Sequence, residues 1–455
     1  MMVPGSDIRQ RLSTAAACPA APKGSGRCPG TGNPGAEGSR DEPPARVGGP
    51  SHGVIRGSRV DTLAPMPLTV RRITAEQHSA HIAARSAGTG LVSVLQVPAW
   101  GAVKPDWRHE SIGWFDGDAL VGAGLVLYRQ VPRLPRFLAY LPEGPDIDWL
   151  GEGPAARGLE EAPDRVHPLP DWLDPMLAHL KSAGAFAAKV GPPIWTRRWS
   201  AATLKGAIAA GGVTALRDLP ADETDGRALA VADVLEALGW TQRPATGAGF
   251  GDVQPRYVFQ VPLAGRDDDA LLAGFNQLWR RNIKKAAKGG VLVRQGDGSD
   301  LAAFHEIYVE TAHRDQFHPR GLQYFERMWR ALRAEDPDRI RLYLAEHAGT
   351  IHAATLWARV NGHCWYTYGA STTAGRDLRP SNAIQWQMMR DARDAGATTY
   401  DLRGISDTLD PADHLYGLLQ FKIGTGGYAQ EYSGEWDYAL RPALNRAFEA
   451  YMRRR

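Results

Sequence analysis

From Leu68 onward the chain alternates between two hydrophobic rhythms, a period of two that marks strands and a period of about 3.6 that marks helices. LTVRRI predicts a short strand, and His78 to Ala87 a weak helix. After an aromatic and basic loop over Gln96 to Trp107, two alternating runs flank Asp116-Gly117, a dipeptide that favours the tight turn of a hairpin. RFLAYLPEGPDID extends this sheet to a Gly-Pro turn. A helix follows near Trp172 to Ala183, then the strand AFAAKVGPPI. Residues 201–225 carry no clear rhythm and read as loop. VADVLEALGW predicts a helix stopped by Gly239, and RYVFQVPL a strand.

The same plan then recurs. DDALLAGFNQLWRRNIKKAAKGG predicts one helix, acidic at its start and ended by a glycine pair. VLVRQ is a strand, and helices are expected over Leu301 to Ala312 and Leu322 to Ala334. IRLYLAEHAGTIHAATLWARVNGHCWYTYGAS supplies three alternating strands with turns at Ala348-Gly349 and Asn361-Gly362. The helix SNAIQWQMMRDARDAG leads to the strand TTYDLRGI. A polar loop and a short apolar helix, Leu415 to Phe421, end at Lys422 and the glycines Gly424, Gly426 and Gly427. One more strand, Ala429 to Trp436, precedes a last helix that ends in Met452 to Arg455. This order predicts an α+β fold of two similar domains, 66–262 and 263–455, with the C-terminal helix returning toward the first. Residues 1–65 are rich in Gly, Pro, Ala, Ser and Arg and bury too little apolar surface to offset their ordering entropy. They are expected to form a disordered extension, with Met66 as the true start.

Composition narrows the class. At 43% hydrophobic and 23% charged residues the chain is that of a globular protein, and no apolar run approaches the roughly 18 residues of a membrane span. The net charge of +3 leaves any polyanion binding to local clusters. Cys18, Cys28 and Cys364 lie too far apart for a disulfide framework or a zinc site, which fits a reducing cytoplasm. No P-loop, Rossmann fingerprint, GxSxG elbow or HExxH is present, so the usual signatures of NTPases, dehydrogenases, hydrolases and zinc enzymes are missing. No metal and no cofactor are expected.

Local clusters carry the remaining chemistry. In WRRNIKKAAK, the residues Arg281, Lys284, Lys285 and Lys288 fall at i, i+3, i+4 and i+7 and share a helix face, with Arg280 beside it. That face suits a diphosphate or an RNA backbone, or is simply solvated. Trp100, Lys104 and Trp107 combine flat surfaces with a charge, as a nucleotide or sugar site requires, or cover a core. Tyr366 and Tyr368, two apart on one strand, are expected on the same face, as a pocket wall or an ordinary sheet pair. Lys422 stands between a helix end and a glycine loop, either aimed into a cleft or solvated before a turn.

Taken together, LQVPAWGAVKPDW, LPEGPDID, QPRYVFQVPL, WRRNIKKAAKGGVLVR, GRDLRPSNAIQWQMM and the stretch from Tyr400 to Asp437 resemble, in order, the Fem peptidyltransferases of cell-wall synthesis. The resemblance covers roughly Met66 to Leu440. It implies two tandem acetyltransferase-like (GNAT) domains and transfer of an amino acid from aminoacyl-tRNA to the stem peptide of a peptidoglycan precursor, lipid II or UDP-MurNAc-pentapeptide. It implies that Lys104 and Arg281 grip the precursor's diphosphate beside Trp107, and that Tyr366 and Tyr368 line a pocket. It implies, too, that Asp146 or Asp148 stands near the acceptor peptide, and that Lys422, preceded by Phe421, meets the aminoacyl end of the tRNA. No sustained heptads mark the coiled-coil arm of FemA- and FemB-type members, so the resemblance is to the arm-less FemX type. The expected location is the cytoplasm, with peripheral contact at the inner face of the plasma membrane left open. Gly375 to Asn382 lacks the QxxGxG/A pattern that cradles coenzyme A. An acyl-CoA-dependent N-acyltransferase and a non-catalytic lipid II or RNA-binding module remain as alternatives.

Overall fold

The computed structural model describes residues 67–85, 91–132, 134–242 and 253–453. The expected N-terminal extension, the Met66 start and the final Arg454 and Arg455 lie outside these residues. Sixteen strands are formed among them. They are β1 Thr69–Ile73, β2 Arg108–Asp116, β3 Ala119–Gln130, β4 Phe137–Leu141, β5 Ala185–Val190, β6 Trp195–Ser200, β7 Glu223–Thr224 and β8 Thr241–Gln242. The second half of the series is β9 Tyr257–Pro262, β10 Leu292–Gly296, β11 Ile340–His347, β12 Thr350–Val360, β13 His363–Ser371, β14 Thr399–Gly404, β15 Tyr428–Tyr432 and β16 Trp436–Tyr438.

These strands form two sheets, seven-stranded in the order β1-β2-β3-β4-β5-β16-β8 and nine-stranded in the order β10-β11-β12-β13-β14-β9-β15-β6-β7. Both sheets repeat one plan. A run of antiparallel strands is followed by a helix, Leu169–Ser182 or Pro380–Asp394, and then by a parallel partner: β5 beside β4, and β14 beside β13. Parallel neighbours need such a crossover. The fold is α+β, as expected, and the two sheets carry the same plan. Among the described residues the longest helix has 15 residues, so none forms a coiled-coil arm, and none is long and apolar enough to cross a membrane.

Sheet membership does not follow chain order. β6, β7 and β9 belong to the nine-stranded sheet although they come early, and β16 lies in the seven-stranded one, between β5 and β8, although it comes last. The predicted strand from Ala429 to Trp436 is two strands in different sheets. The chain turns at Gly434, whose φ of 81° suits glycine, and so passes from one sheet to the other. The C-terminal helix Pro442–Arg453 lies against β5, with Phe448 5.1 Å from Phe186.

Two further elements differ from expectation. Residues 201–225 are not all loop, because Ala201–Ala210 is a helix whose N-terminus is capped by Ser200 accepting from the Thr203 amide. Its alanine-rich stretch lacks the amphipathic rhythm, and only Ala201 and Leu204 are buried. The predicted helix from Asp268 to Lys288 is two, Asp268–Gly274 and Gln277–Lys288. Asn276 restarts the second by accepting from the Trp279 amide, and Arg280 turns back to satisfy the carbonyls of Leu272, Ala273 and Phe275.

Three cores result. One, with Phe259, Trp279, Trp357, Met388 and Tyr400, covers one face of the nine-stranded sheet. A second lies on its opposite face, where helices Leu301–Arg314 and Leu322–Glu335 meet Val94, Leu125 and Leu127 from the first half of the chain. The third fills the seven-stranded sheet around Trp114, Trp172 and Trp436.

Candidate active site

Lys422 lies in the last turn of helix Tyr416–Ile423 and is wholly buried, at 0% exposure. Its Nζ donates to the carbonyl oxygens of Gly404 at 2.6 Å and Arg403 at 3.2 Å. The reading of a solvated lysine is overturned. Burial lowers its pKa to about 7, against the pull of the Asp401 charge. The two carbonyls are available because β14 is irregular where it ends. Its pairing with β13 stops at Trp365 and Asp401, and its pairing with β9 skips from Asp401 to Gly404. A bulge of this kind re-aims backbone groups.

Asp401 is also fully buried. It accepts from Gln260 Nε2 at 3.0 Å and from the Arg403 amide, and lies 3.2 Å from His363 Nε2. Burial works to raise its pKa, but the His363 bond and the neighbouring charges bring it below the usual value. Arg403 reaches the other way and donates to Glu143 Oε1 at 2.6 Å, in the loop after β4. None of Asp401, Arg403, His363, Gln260 or Glu143 was singled out from the sequence. Charged residues inside the apolar strand TTYDLRGI were the available signal.

The candidate residues fall into three neighbourhoods. Tyr366 and Phe421 pack on the same core as Trp279. The Trp279 ring lies 4.6 Å from that of Phe421 and its indole donates to the Phe421 carbonyl at 2.8 Å. This bond ties the basic helix to the helix of Lys422. Arg281, Lys284, Lys285 and Lys288 are all exposed on that basic helix.

Lys104, Trp107 and Tyr368 lie at the opposite core. Lys104 Nζ stands 5.5 Å above the Tyr324 ring, and the Tyr324 hydroxyl lies 3.1 Å from that of Tyr368. Trp107 sits 6.5 Å from Tyr140. Tyr366 and Tyr368 therefore do not share a face, contrary to expectation. Trp357 pairs with Tyr366 but Leu356 pairs with Tyr368, so Thr367 is the extra residue of a bulge, and the alternation inverts.

Asp146 and Asp148 form the third neighbourhood, on the wall of a cavity of about 570 Å³ lined also by Trp149, Gln260, His363 and Tyr428. Asp146 is held by His81 at 2.9 Å and by Arg85 and Arg157 at 3.3 Å each. Burial alone would raise its pKa, but the two guanidinium groups and the His81 bond hold it well below the usual carboxylate range. Asp148 accepts from the amides of Glu152 and Gly153 at 2.9 and 2.8 Å. Gln260 joins this cavity to the Lys422 region, since it lines the cavity and also bonds Asp401.

The chain is similar to known proteins along most of its length. A lipid II:glycine glycyltransferase of Staphylococcus aureus (strain MRSA252) is 24% identical over 444 residues, covering 83% of this chain and 94% of that protein. The crystal structure of FemX has the same fold, with a TM-score of 0.66 at 24% identity over 84% of this chain and 99% of that one. The FemAB family model matches residues 213–347 and 345–453, more than half of the chain and the segment that holds Lys422, Asp401 and the basic helix. The chain belongs to the FemAB family.

Proposed function

We propose that this protein is an aminoacyltransferase that moves an amino acid from aminoacyl-tRNA onto the stem peptide of a peptidoglycan precursor, lipid II or UDP-MurNAc-pentapeptide. The relative named as a lipid II:glycine glycyltransferase supports the substrate class. The observation that carries the reading is Lys422, a buried lysine held by two main-chain carbonyls beyond the point where β13 and β14 part.

In the proposed reaction the acceptor amine attacks the ester carbonyl of the donor. A C–N bond forms, the C–O bond to the ribose breaks, and the proton lost by the amine ends on the ribose oxygen. The ester is already activated, so positioning and charge stabilisation supply most of the acceleration. Lys422, as an ammonium, stabilises negative charge on the tetrahedral intermediate or the leaving oxygen, beside Phe421. Arg281 meets the diphosphate from the exposed face of the basic helix, with Tyr366 on the same side of the nine-stranded sheet; Lys104, Trp107 and Tyr368, at the opposite core, meet another part of the substrate. Asp146 or Asp148 faces the acceptor amine from the cavity. The partners of Asp146 suit it to orienting the amine rather than to removing its proton, because a carboxylate with a lowered pKa is a weak base.

The test incubates the protein with purified precursor and a charged tRNA pool and weighs the product. One added amino acid residue is expected, and its mass names the amino acid. Lys422→Met should keep the fold and lose transfer on the order of 100-fold. Near wild-type turnover of that variant at saturating tRNA overturns the role of the lysine, and product formed with an acyl-CoA donor instead of tRNA overturns the donor.

A further inference from the structure

Glu143 and Arg403 face each other across the two sheets next to Lys422. Glu143 lies in the loop after β4 of the seven-stranded sheet, and Arg403 lies in the bulge of β14 in the nine-stranded one. Arg403 Nη2 donates to one carboxylate oxygen of Glu143 at 2.6 Å, and Ser93 Oγ donates to the other at 2.5 Å. Both residues have left-handed backbone conformations, φ 46° at Glu143 and 61° at Arg403. Residues other than glycine rarely adopt these, and they persist where the surroundings hold them. The Arg403 side chain is 2% exposed, so its charge is neutralised inside the protein. The carbonyl of this same arginine, with that of Gly404, holds the amino group of Lys422.

We propose that Glu143 and Arg403 are a positioning pair for Lys422: anchored on the other sheet, they fix the bulge whose two carbonyls hold the lysine's amino group. The proposal rests on the reading of Lys422 as the working cation and deepens it. The pair makes the lysine's position depend on the docking of one sheet on the other, which the helix of Lys422 alone does not require.

The pair also sets the charge around the lysine. Asp401 and Arg403 face it from β14, His363 lies behind Asp401 on β13, and Glu143 lies behind Arg403. Against the Lys422 helix, Ala201–Ala210 and Gln277–Lys288 bury the apolar Leu204 and Trp279. Arg403 opposes the lysine's positive charge and Glu143 offsets Arg403, so removing each should act in opposite senses.

The experiment follows the side-chain nitrogen of Lys422 by NMR of the full chain labelled with 15N-lysine, the signal being assigned by its loss in Lys422→Met. Wild type, Arg403→Gly and Glu143→Gln are titrated, and their transfer of an amino acid from charged tRNA to precursor is measured. Glycine suits the φ of position 403, so Arg403→Gly should fold. The Lys422 midpoint is expected to rise in Arg403→Gly and to fall in Glu143→Gln, with kcat reduced about 10- to 100-fold in both and KM for the precursor little changed. Midpoints equal to wild type in both folded variants overturn the proposal. Should Arg403→Gly not fold, an unmoved midpoint in Glu143→Gln alone overturns it. If the midpoints move as expected but wild type transfers nothing, the pair stands and the transferase reading falls.

Discussion

At the scale of single residues, burial decides what Lys422 can do. Its pKa of about 7 instead of 10.5 places the change of charge in the working range. If the ammonium form stabilises the oxyanion, the single-turnover rate should fall as pH rises through about 7, and Lys422→Met should show no such limb. A rate that climbs through the same range would mean that the neutral amine acts. Stability gives an independent reading of the same shift. Between pH 7 and 10.5 the unfolded chain holds the lysine's proton and the folded chain does not, so this group adds stability as pH rises through that window. The unfolding free energy of wild type minus that of Lys422→Met should therefore increase across it, by at most about 1.4 kcal/mol per pH unit, as urea titrations at several pH values can measure. A flat difference would show that the lysine titrates normally in the fold.

The elements around the site differ in what they contribute. The loop after β4 carries Asp146, which neutralises two buried arginines and accepts from His81 on the helix Ala75–Ala84. Asp146→Asn should cost about 3–5 kcal/mol, because breaking a buried ion pair leaves charge uncompensated. A denaturant midpoint like that of wild type would contradict this structural share of the residue's work. On the basic helix, Trp279 is buried while Arg281 is exposed. Arg281→Ala should leave stability within about 0.5 kcal/mol, as surface changes usually do. It should weaken precursor binding roughly tenfold at low salt and less at high salt, where charges are screened. Equal calorimetric affinities for the two proteins would remove Arg281 from the proposed diphosphate grip. On β13, a Cβ at Gly369 would collide with the Tyr366 ring. Gly369→Ala should displace that tyrosine at a cost of about 1–3 kcal/mol, the range for overpacking, and near-ultraviolet circular dichroism should report the moved ring.

For the whole molecule, the crossing of strands between sheets is the governing feature. The segment from Tyr428 to Tyr438 supplies β15 to one sheet and β16 to the other, and Leu125 and Leu127 of β3 share a core with Leu342 and Leu356. The proposed division into 66–262 and 263–455 therefore concerns two halves that share strands, and a single cooperative calorimetric transition is expected from residues 66–455. Two separate transitions would show that the halves fold independently. Most elements were legible in the sequence, because strands such as RFLAYL and RYVFQVPL and helices such as SNAIQWQMMRDARDAG keep a rhythm set by local geometry. The helix Ala201–Ala210 was not, since few of its residues are buried, and the break at Asn276 joins local caps from Asn276 and Arg280 to one contact from another element, the Gly424 carbonyl. Of the site, the sequence determined that Lys422 stands at the end of a short helix and that four basic residues share one face. It did not determine that Lys422 is buried, that Thr367 inverts the faces of Tyr366 and Tyr368, or that Glu143 meets Arg403 across 260 positions. Those facts depend on register and on docking between sheets, and periodicity within one segment says nothing about which segment lies beside it.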